Sequence, residues 1–326
     1  MNEQHQSAIA INKAFANVVP DIANAPDSMV LVTYTGFDAH AFMPHRMEDE
    51  DFVFEKEAFQ IMSYAWNREW GRKDYEPRRG VWWGGPKGAG KTTLTEQFFA
   101  RLGVPVIPLT CNRRIPLSDL IDKMVPDGAG GWLQVPGPLK MAMMMGFPVV
   151  LNEPSRMEPA DLVAMHDIID RGLYVADDGE VIRAKRGFIV FATDNTMGFG
   201  DETGSYPDAN LLDQATLSRF IKAEVDYLPM EMEVKVLKSK AGQDEATARL
   251  FVSFANAVRS AYKSGKSSVT MGTREVIEWA QAATYFSGLK SEPPALFALK
   301  RVMGGCPAAD MEAMRSIYQS HFGGAG

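Results

Sequence analysis

Gly85-Pro86-Lys87-Gly88-Ala89-Gly90-Lys91-Thr92 satisfies the pattern G-x-x-x-x-G-K-[ST] at every required position. Phosphate oxygens have to be met by several backbone N–H groups at once. Such a loop therefore needs residues that accept unusual φ angles and put no side chain in the way. A helix opening near Lys91 aims the positive end of its dipole at the same anion. In that arrangement Lys91 reaches the β- and γ-phosphates, the hydroxyl of Thr92 binds Mg²⁺, and Thr93 completes the binding stretch. The sequence thus predicts ATP and Mg²⁺ as ligands.

The flanks decide between this reading and a glycine-rich turn with a chance lysine. Val81, Trp82 and Trp83 form a short β-prone run before the loop. After it, Leu94, Phe98 and Leu102 recur at four-residue spacing, as on an amphipathic helix. Gly103 stands where a left-handed cap is wanted, and residues 104–109 supply the next strand. Residues 147–151 and 188–193 are further short apolar runs, as strands buried on both faces would be. Strands alternating with helices predict an α/β fold with a parallel sheet. Between those two runs, Leu162, Met165 and Ile169 share a helical face, and Asp178-Gly179 suits the tight turn of a hairpin. Ile221, Ala223, Val225 and Tyr227 alternate with charged residues and predict a half-exposed strand closing the sheet.

Beyond Pro229 the chain reads as successive helices over 246–263, 273–286, 294–303 and 308–321. The expected organisation is an N-terminal extension over 1–50, a nucleotide-binding α/β domain over 51–230 and a small all-α domain over 231–326. The run 29–34 suggests a strand within the extension.

Composition sets limits. With 46% hydrophobic residues the 326-residue chain can bury a sizeable core. Lys and Arg number 34 against 41 Asp and Glu, a net charge of −7, which argues against a polyanionic partner such as nucleic acid. Cys111 and Cys306 lack metal spacing and are expected as buried small hydrophobes in a reducing compartment. No apolar run reaches membrane-spanning length and the start does not read as a signal peptide, so the expected location is the cytoplasm. His166 lies on the same apolar helix and is expected in the core, and the methionines at 141 and 143–145 as adaptable packing.

A phosphate-binding loop of this kind needs a second strand whose end presents an acid to the attacking water. Val149-Val150-Leu151-Asn152-Glu153 fits, with Glu153 as general base. Asn152 stands where an aspartate is expected. Its amide oxygen still accepts a hydrogen bond from metal-bound water but brings no negative charge, which predicts weak Mg²⁺ dependence or slow turnover.

With the loop, Asn152-Glu153 and the segment from Phe188 to Gly204 together, the chain resembles the CobS-type ATPase subunit of aerobic cobaltochelatase, in the MoxR-like branch of AAA+ ATPases. The likeness runs from about residue 43 to 279. It includes 213–220, Tyr227-Leu-Pro229 and Met271-Gly-Thr-Arg-Glu-Val-Ile-Glu-Trp279. The resemblance implies a P-loop sheet domain followed by a helical lid. It makes Asn195 the sensor of the γ-phosphate, Arg219 in Leu217-Ser-Arg-Phe220 the arginine finger addressing a neighbouring protomer, and Arg274 the second sensor. It also implies a homo-oligomer, usually a hexameric ring, with hairpins directed at the axis. Residues 127–137, carrying Trp132, and the Asp178-Gly179 hairpin with Arg183, Lys185 and Arg186 suit that description.

The function these expectations favour is a motor that hydrolyses ATP between subunits and remodels a protein client, with a von Willebrand factor A-type partner. A nucleic-acid-stimulated translocase is the first alternative, against which net acidity counts. A slow, nucleotide-gated scaffold is the second, made conceivable by Asn152.

Overall fold

A computed structural model describes residues 6–176, 179–200 and 209–323. Its strands in chain order are β1 (Gln6–Ala10), β2 (Val30–Tyr34), β3 (Val81–Gly84), β4 (Ile107–Thr110), β5 (Asp122–Pro126), β6 (Trp132–Pro136), β7 (Val149–Asn152), β8 (Leu173–Val175), β9 (Val181–Arg183), β10 (Val190–Thr193) and β11 (Ile221–Glu224). The chain divides into two compact units. One comprises Met1–Arg46, Phe54–Gly85 and Lys91–Val225, the other Met47–Val53, Pro86–Gly90 and Asp226–Gly326.

The first unit is built on a five-stranded sheet of order β11-β3-β10-β7-β4. All its pairings are parallel. The short apolar runs become strands because a parallel sheet covered on both faces accepts continuous hydrophobic sequence. Every residue of β3 and β10 is buried, the tryptophans Trp82 and Trp83 included. The register sets Thr193 beside both Asn152 and Trp83. All strand ends that matter for chemistry therefore lie along one edge of the sheet, where ligands of open parallel sheets bind.

Helices Lys56–Gly71 and Lys91–Arg101 supply aromatic packing. Trp66 meets Phe99 at 5.1 Å between ring centroids, and Phe99 meets Phe191 of β10 at 5.5 Å. The N-terminal segment is part of this unit. β1 and β2 pair antiparallel, Trp66 Nε1 donates to Val32 O at 2.8 Å, and the Tyr34 hydroxyl donates to Gly146 O at 2.9 Å. Glu69, wholly buried, holds Arg72 at 2.7 Å and Arg78 closer still, while Arg78 donates to Phe188 O at 2.7 Å. This cluster fixes the segments that enter β3 and β10. Burial pushes the Glu69 carboxyl up, and the two guanidinium groups oppose the shift.

The second unit contains helices Met230–Ala241, Glu245–Lys263, Thr273–Tyr285, Pro294–Val302 and Ala308–Phe322. Their starts follow capping chemistry: Asp244 accepts from Thr247 N at 3.0 Å, and Pro294 occupies the first helical turn. Trp279 is the centre of the core, 4.3 Å from Phe251 and 4.6 Å from Phe254 between rings. The same unit holds a buried ion pair. Arg259 grips both oxygens of Glu233 at 2.7 Å, and Thr273 donates to the same carboxylate at 2.8 Å.

Candidate active site

β3 runs directly into the loop predicted to hold phosphate. Gly85, Gly88 and Gly90 have φ of 133°, 77° and 88°, a region that side-chain-bearing residues avoid. At Gly85 space also forbids a side chain, since a Cβ there would lie 2.0 Å from Val225 O. The helix Lys91–Arg101 begins immediately after Gly90, so the loop leads straight into its N-terminus.

Lys91 is 8% exposed, and its Nζ donates to Gly85 O at 2.7 Å and to Asn195 Oδ1 at 2.9 Å. Burial lowers its pKa to about 8, outweighing the opposing pull of Asp194 and Glu153. An ammonium whose charge its surroundings under-compensate suits a polyanion, so these residues fit a nucleotide triphosphate.

At the end of β7, Asn152 Oδ1 accepts from the hydroxyls of Thr92 at 2.8 Å and Thr193 at 2.9 Å. Glu153 follows in the left-handed region with φ 57° and ψ 51°, its N–H donating to Thr193 O at 2.7 Å. Such a backbone is costly for a non-glycine residue and marks a position held for its side chain. Glu153 Oε1 lies 3.5 Å from Asn195 Nδ2, and its other oxygen 3.0 Å from Arg156 Nε. Lys91, Thr92, Asn152, Glu153 and Asn195 are thus brought together from the ends of two sheet strands and the start of one helix.

Sequence reasoning missed the residue that anchors the loop carrying Asn195. Asp194 is 2% exposed and accepts from Ser155 Oγ at 2.6 Å, Thr196 Oγ1 at 2.8 Å and Gly198 N at 2.9 Å. Its N–H donates to Trp83 O at 2.9 Å. The carboxylate thereby ties the loop after β10 to the turn after β7, and the N–H ties it to β3.

Arg219 lies apart from that group, with Nε 3.0 Å from Asp170 Oδ2 and Nη1 donating to Ala215 O. Arg274 is the second residue of Thr273–Tyr285 and is exposed. Lys87 lies 4.0 Å from Glu275, its partner within the second unit. Of the two expected hairpins, β5 and β6 pair antiparallel and expose Met124, Trp132 and Leu133 to 58%, 68% and 55%. β8 and β9 form the other, and its predicted turn residue Asp178 lies outside the described residues. Lys140, missed by the sequence reading, joins them: its Nζ is 3.1 Å from Asp122 and 2.6 Å from Glu180.

Smaller expectations need correction. His166 is half-buried rather than in the core, its Nε2 2.8 Å from Thr216 Oγ1. Met144 and Met145 are exposed, because the helix Pro138–Met145 turns that side outward, whereas Met143 is buried. Cys111 is buried beside the site and its thiol is pushed up to about 12, while Cys306 is half-buried. Arg186, placed with the second hairpin, donates instead to Trp70 O at 2.8 Å.

Residues 82–220 match the family described as AAA domain (dynein-related subfamily), and residues 233–319 match the CbbQ/NirQ/NorQ C-terminal family. The aerobic cobaltochelatase subunit CobS of a Sinorhizobium species is 28% identical over 93% of this chain and 93% of its own length. Protein CbbQ of Hydrogenophilus thermoluteolus is 30% identical over 56% of this chain and 65% of its own length. Among solved structures, the RuvB Holliday junction branch migration motor of Thermotoga maritima superposes with a TM-score of 0.50. That match has 14% identity and covers 80% of this chain and 72% of the RuvB chain, a likeness of fold alone. The clustered lysine, asparagines and glutamate on a parallel sheet, together with both family matches, relate the chain to the AAA+ ATPases, CobS and CbbQ among them, and support an ATP hydrolase.

Proposed function

We propose that this ATPase works as a ring-forming motor that couples hydrolysis between protomers to the remodelling of a client protein. The observation that carries the reading is the meeting of Lys91, Asn195 and Glu153 at one point, with Asn195 linked to both of the others. Lys91 and the amides of 85–92 hold the triphosphate, Asn195 orients the attacking water, and the Glu153 carboxylate takes its proton. Mg²⁺, held through Thr92 and Asn152, would neutralise phosphate charge. Arg219 of one protomer completes the neighbour's site, Arg274 reports nucleotide state, and residues 231–326 act as the lid of the 51–230 domain.

The ring is inferred to be a hexamer in the cytoplasm, served by a von Willebrand factor A-type partner. Similarity to a cobaltochelatase subunit across nearly the whole chain supports a large enzyme as client. The exposed Trp132 and Leu133 suit contact with a polypeptide better than with nucleic acid, given the net charge of −7. Among the described residues no helix is long and apolar enough to cross a membrane.

Glu153→Gln tests the assignment. Turnover should fall about a hundredfold or more while ATP binding persists, and ATP should then trap an assembled ring together with its client. A Glu153→Gln protein hydrolysing at the wild-type rate would remove Glu153 as base and leave the scaffold reading in its place.

A further inference from the structure

Asp170 occupies a position that local stability does not explain. It lies in the last turn of the helix His166–Arg171, where the negative end of the helix dipole disfavours a carboxylate. Its backbone is anchored nevertheless: Asp170 O accepts from Arg78 N at 2.8 Å, on the segment that leads into β3. Its side chain faces the guanidinium of Arg219, with Oδ2 3.0 Å from Nε and the two side chains 27% and 23% exposed. On the other edge, Arg219 Nη1 donates to Ala215 O in the preceding helix Gln214–Leu217.

The Ala215 hydrogen bond holds Nη1, and the Asp170 carboxylate lies against Nε as an ion pair without hydrogen-bond geometry. Among the described residues no hydrogen bond engages Nη2. The environment is arranged to keep competing positive charge away. His166, whose Nε2 meets Thr216, has its pKa lowered by burial first and then by Arg219 itself. Asp213 caps the Gln214–Leu217 helix by accepting from Thr216 N, which rigidifies the carbonyl that holds Nη1.

We propose that Asp170 is a positioning residue for Arg219, presenting the Nη2 edge of the guanidinium outward to a phosphate oxygen bound by another copy of the chain. This rests on the assignment of Arg219 as arginine finger. A mobile arginine has to give up side-chain freedom in the transition state, whereas one already held by a hydrogen bond and an ion pair gives up less. The guanidinium stays protonated beside the carboxylate, so the contact orients it without removing its proton.

The test is a double-mutant cycle on the full-length protein, read by steady-state ATPase activity and by nucleotide affinity. Arg219→Ala should lower kcat by about a thousandfold. Asp170→Ala should lower kcat by roughly ten- to a hundredfold with KM and nucleotide affinity unchanged, because positioning acts in the transition state. The double variant should be no slower than Arg219→Ala alone. Asp170→Asn, which keeps the shape, should be intermediate and guards against a folding defect, with thermal unfolding checked for each protein.

Wild-type or raised kcat in Asp170→Ala would overturn the proposal. So would a double variant slower than Arg219→Ala by the full Asp170 factor, since that marks an independent structural effect. If Arg219→Ala itself hydrolyses ATP at the wild-type rate, it is the finger assignment that falls, and the two failures are thereby told apart.

Discussion

Proton uptake on nucleotide binding should expose the state of Lys91. Burial holds this ammonium at about 8 against its ordinary 10.5. A triphosphate placed against it favours the charged form again, so binding at alkaline pH must draw a proton from solution. With a pKa near 8, about half of the lysines are charged at pH 8 and about a tenth at pH 9. The expected uptake is therefore about 0.5 and about 0.9 proton per site, and apparent affinity should fall by close to tenfold, about 1.4 kcal/mol, per pH unit above this range. Calorimetric titration with a non-hydrolysable ATP analogue, run in two buffers of different ionisation enthalpy, gives the proton count directly. Lys91→Arg is the control, since a guanidinium stays charged throughout and its uptake should vanish. The same shift acts on stability with a definite sign. The folded value lies below the unfolded one, so the unfolded chain binds more protons between pH 8 and 10.5, and the nucleotide-free protein should gain stability as pH rises through that window. Uptake below about 0.1 proton at pH 9, or uptake equal to that of Lys91→Arg, would refute the desolvated placement of the ammonium.

The remaining predictions concern two unusual polar contacts. Asn152→Asp puts a negative charge 2.8 Å from the Thr92 hydroxyl, and should reduce the Mg²⁺ concentration needed for half-maximal ATPase activity by roughly tenfold while raising turnover; an unchanged Mg²⁺ titration would end that account of Asn152. Arg259→Met strands the fully buried Glu233 with Thr273 as its partner, and should cost about 3–5 kcal/mol in denaturant unfolding. A loss below about 1 kcal/mol would mean that water reaches the carboxylate.

What the sequence made legible was whatever has a period or a fixed spacing. The strands β3, β7 and β10 announced themselves as apolar runs, and the helix Lys91–Arg101 through Leu94 and Phe98. The helices Glu245–Lys263 and Pro294–Val302 begin within one residue of their expected starts, because Asp244 and Pro294 carry capping chemistry that reads locally. Lys91, Thr92, Asn152 and Glu153 were nameable from the loop pattern and from the strand end that answers it, whereas Asn195 was nameable only through the family resemblance.

Buried charge was not legible. Glu69 with Arg78, Glu233 with Arg259 and Lys140 with Glu180 are separated by 9, 26 and 40 positions, and no periodicity relates such partners. Asp194 looked like a polar residue in a turn. Its role needs Ser155, 39 positions earlier, to arrive beside it, and that depends on the register of β7 against β10. The helix Met230–Ala241 was hidden by its high charge, with Glu231, Glu233, Lys238 and Lys240 within one element. The N-terminal pairing of β1 with β2 has the same character, because β1 carries no apolar alternation of its own.

A single ammonium serves both hairpins, and that has a mechanical meaning. Lys140 sits between Asp122 at the root of one and Glu180 near the turn of the other, itself 8% exposed. Pulling either hairpin away from its neighbour would leave a poorly hydrated cation short of an anion. The link therefore opposes parting of the two hairpins and puts no such cost on a displacement that carries both together.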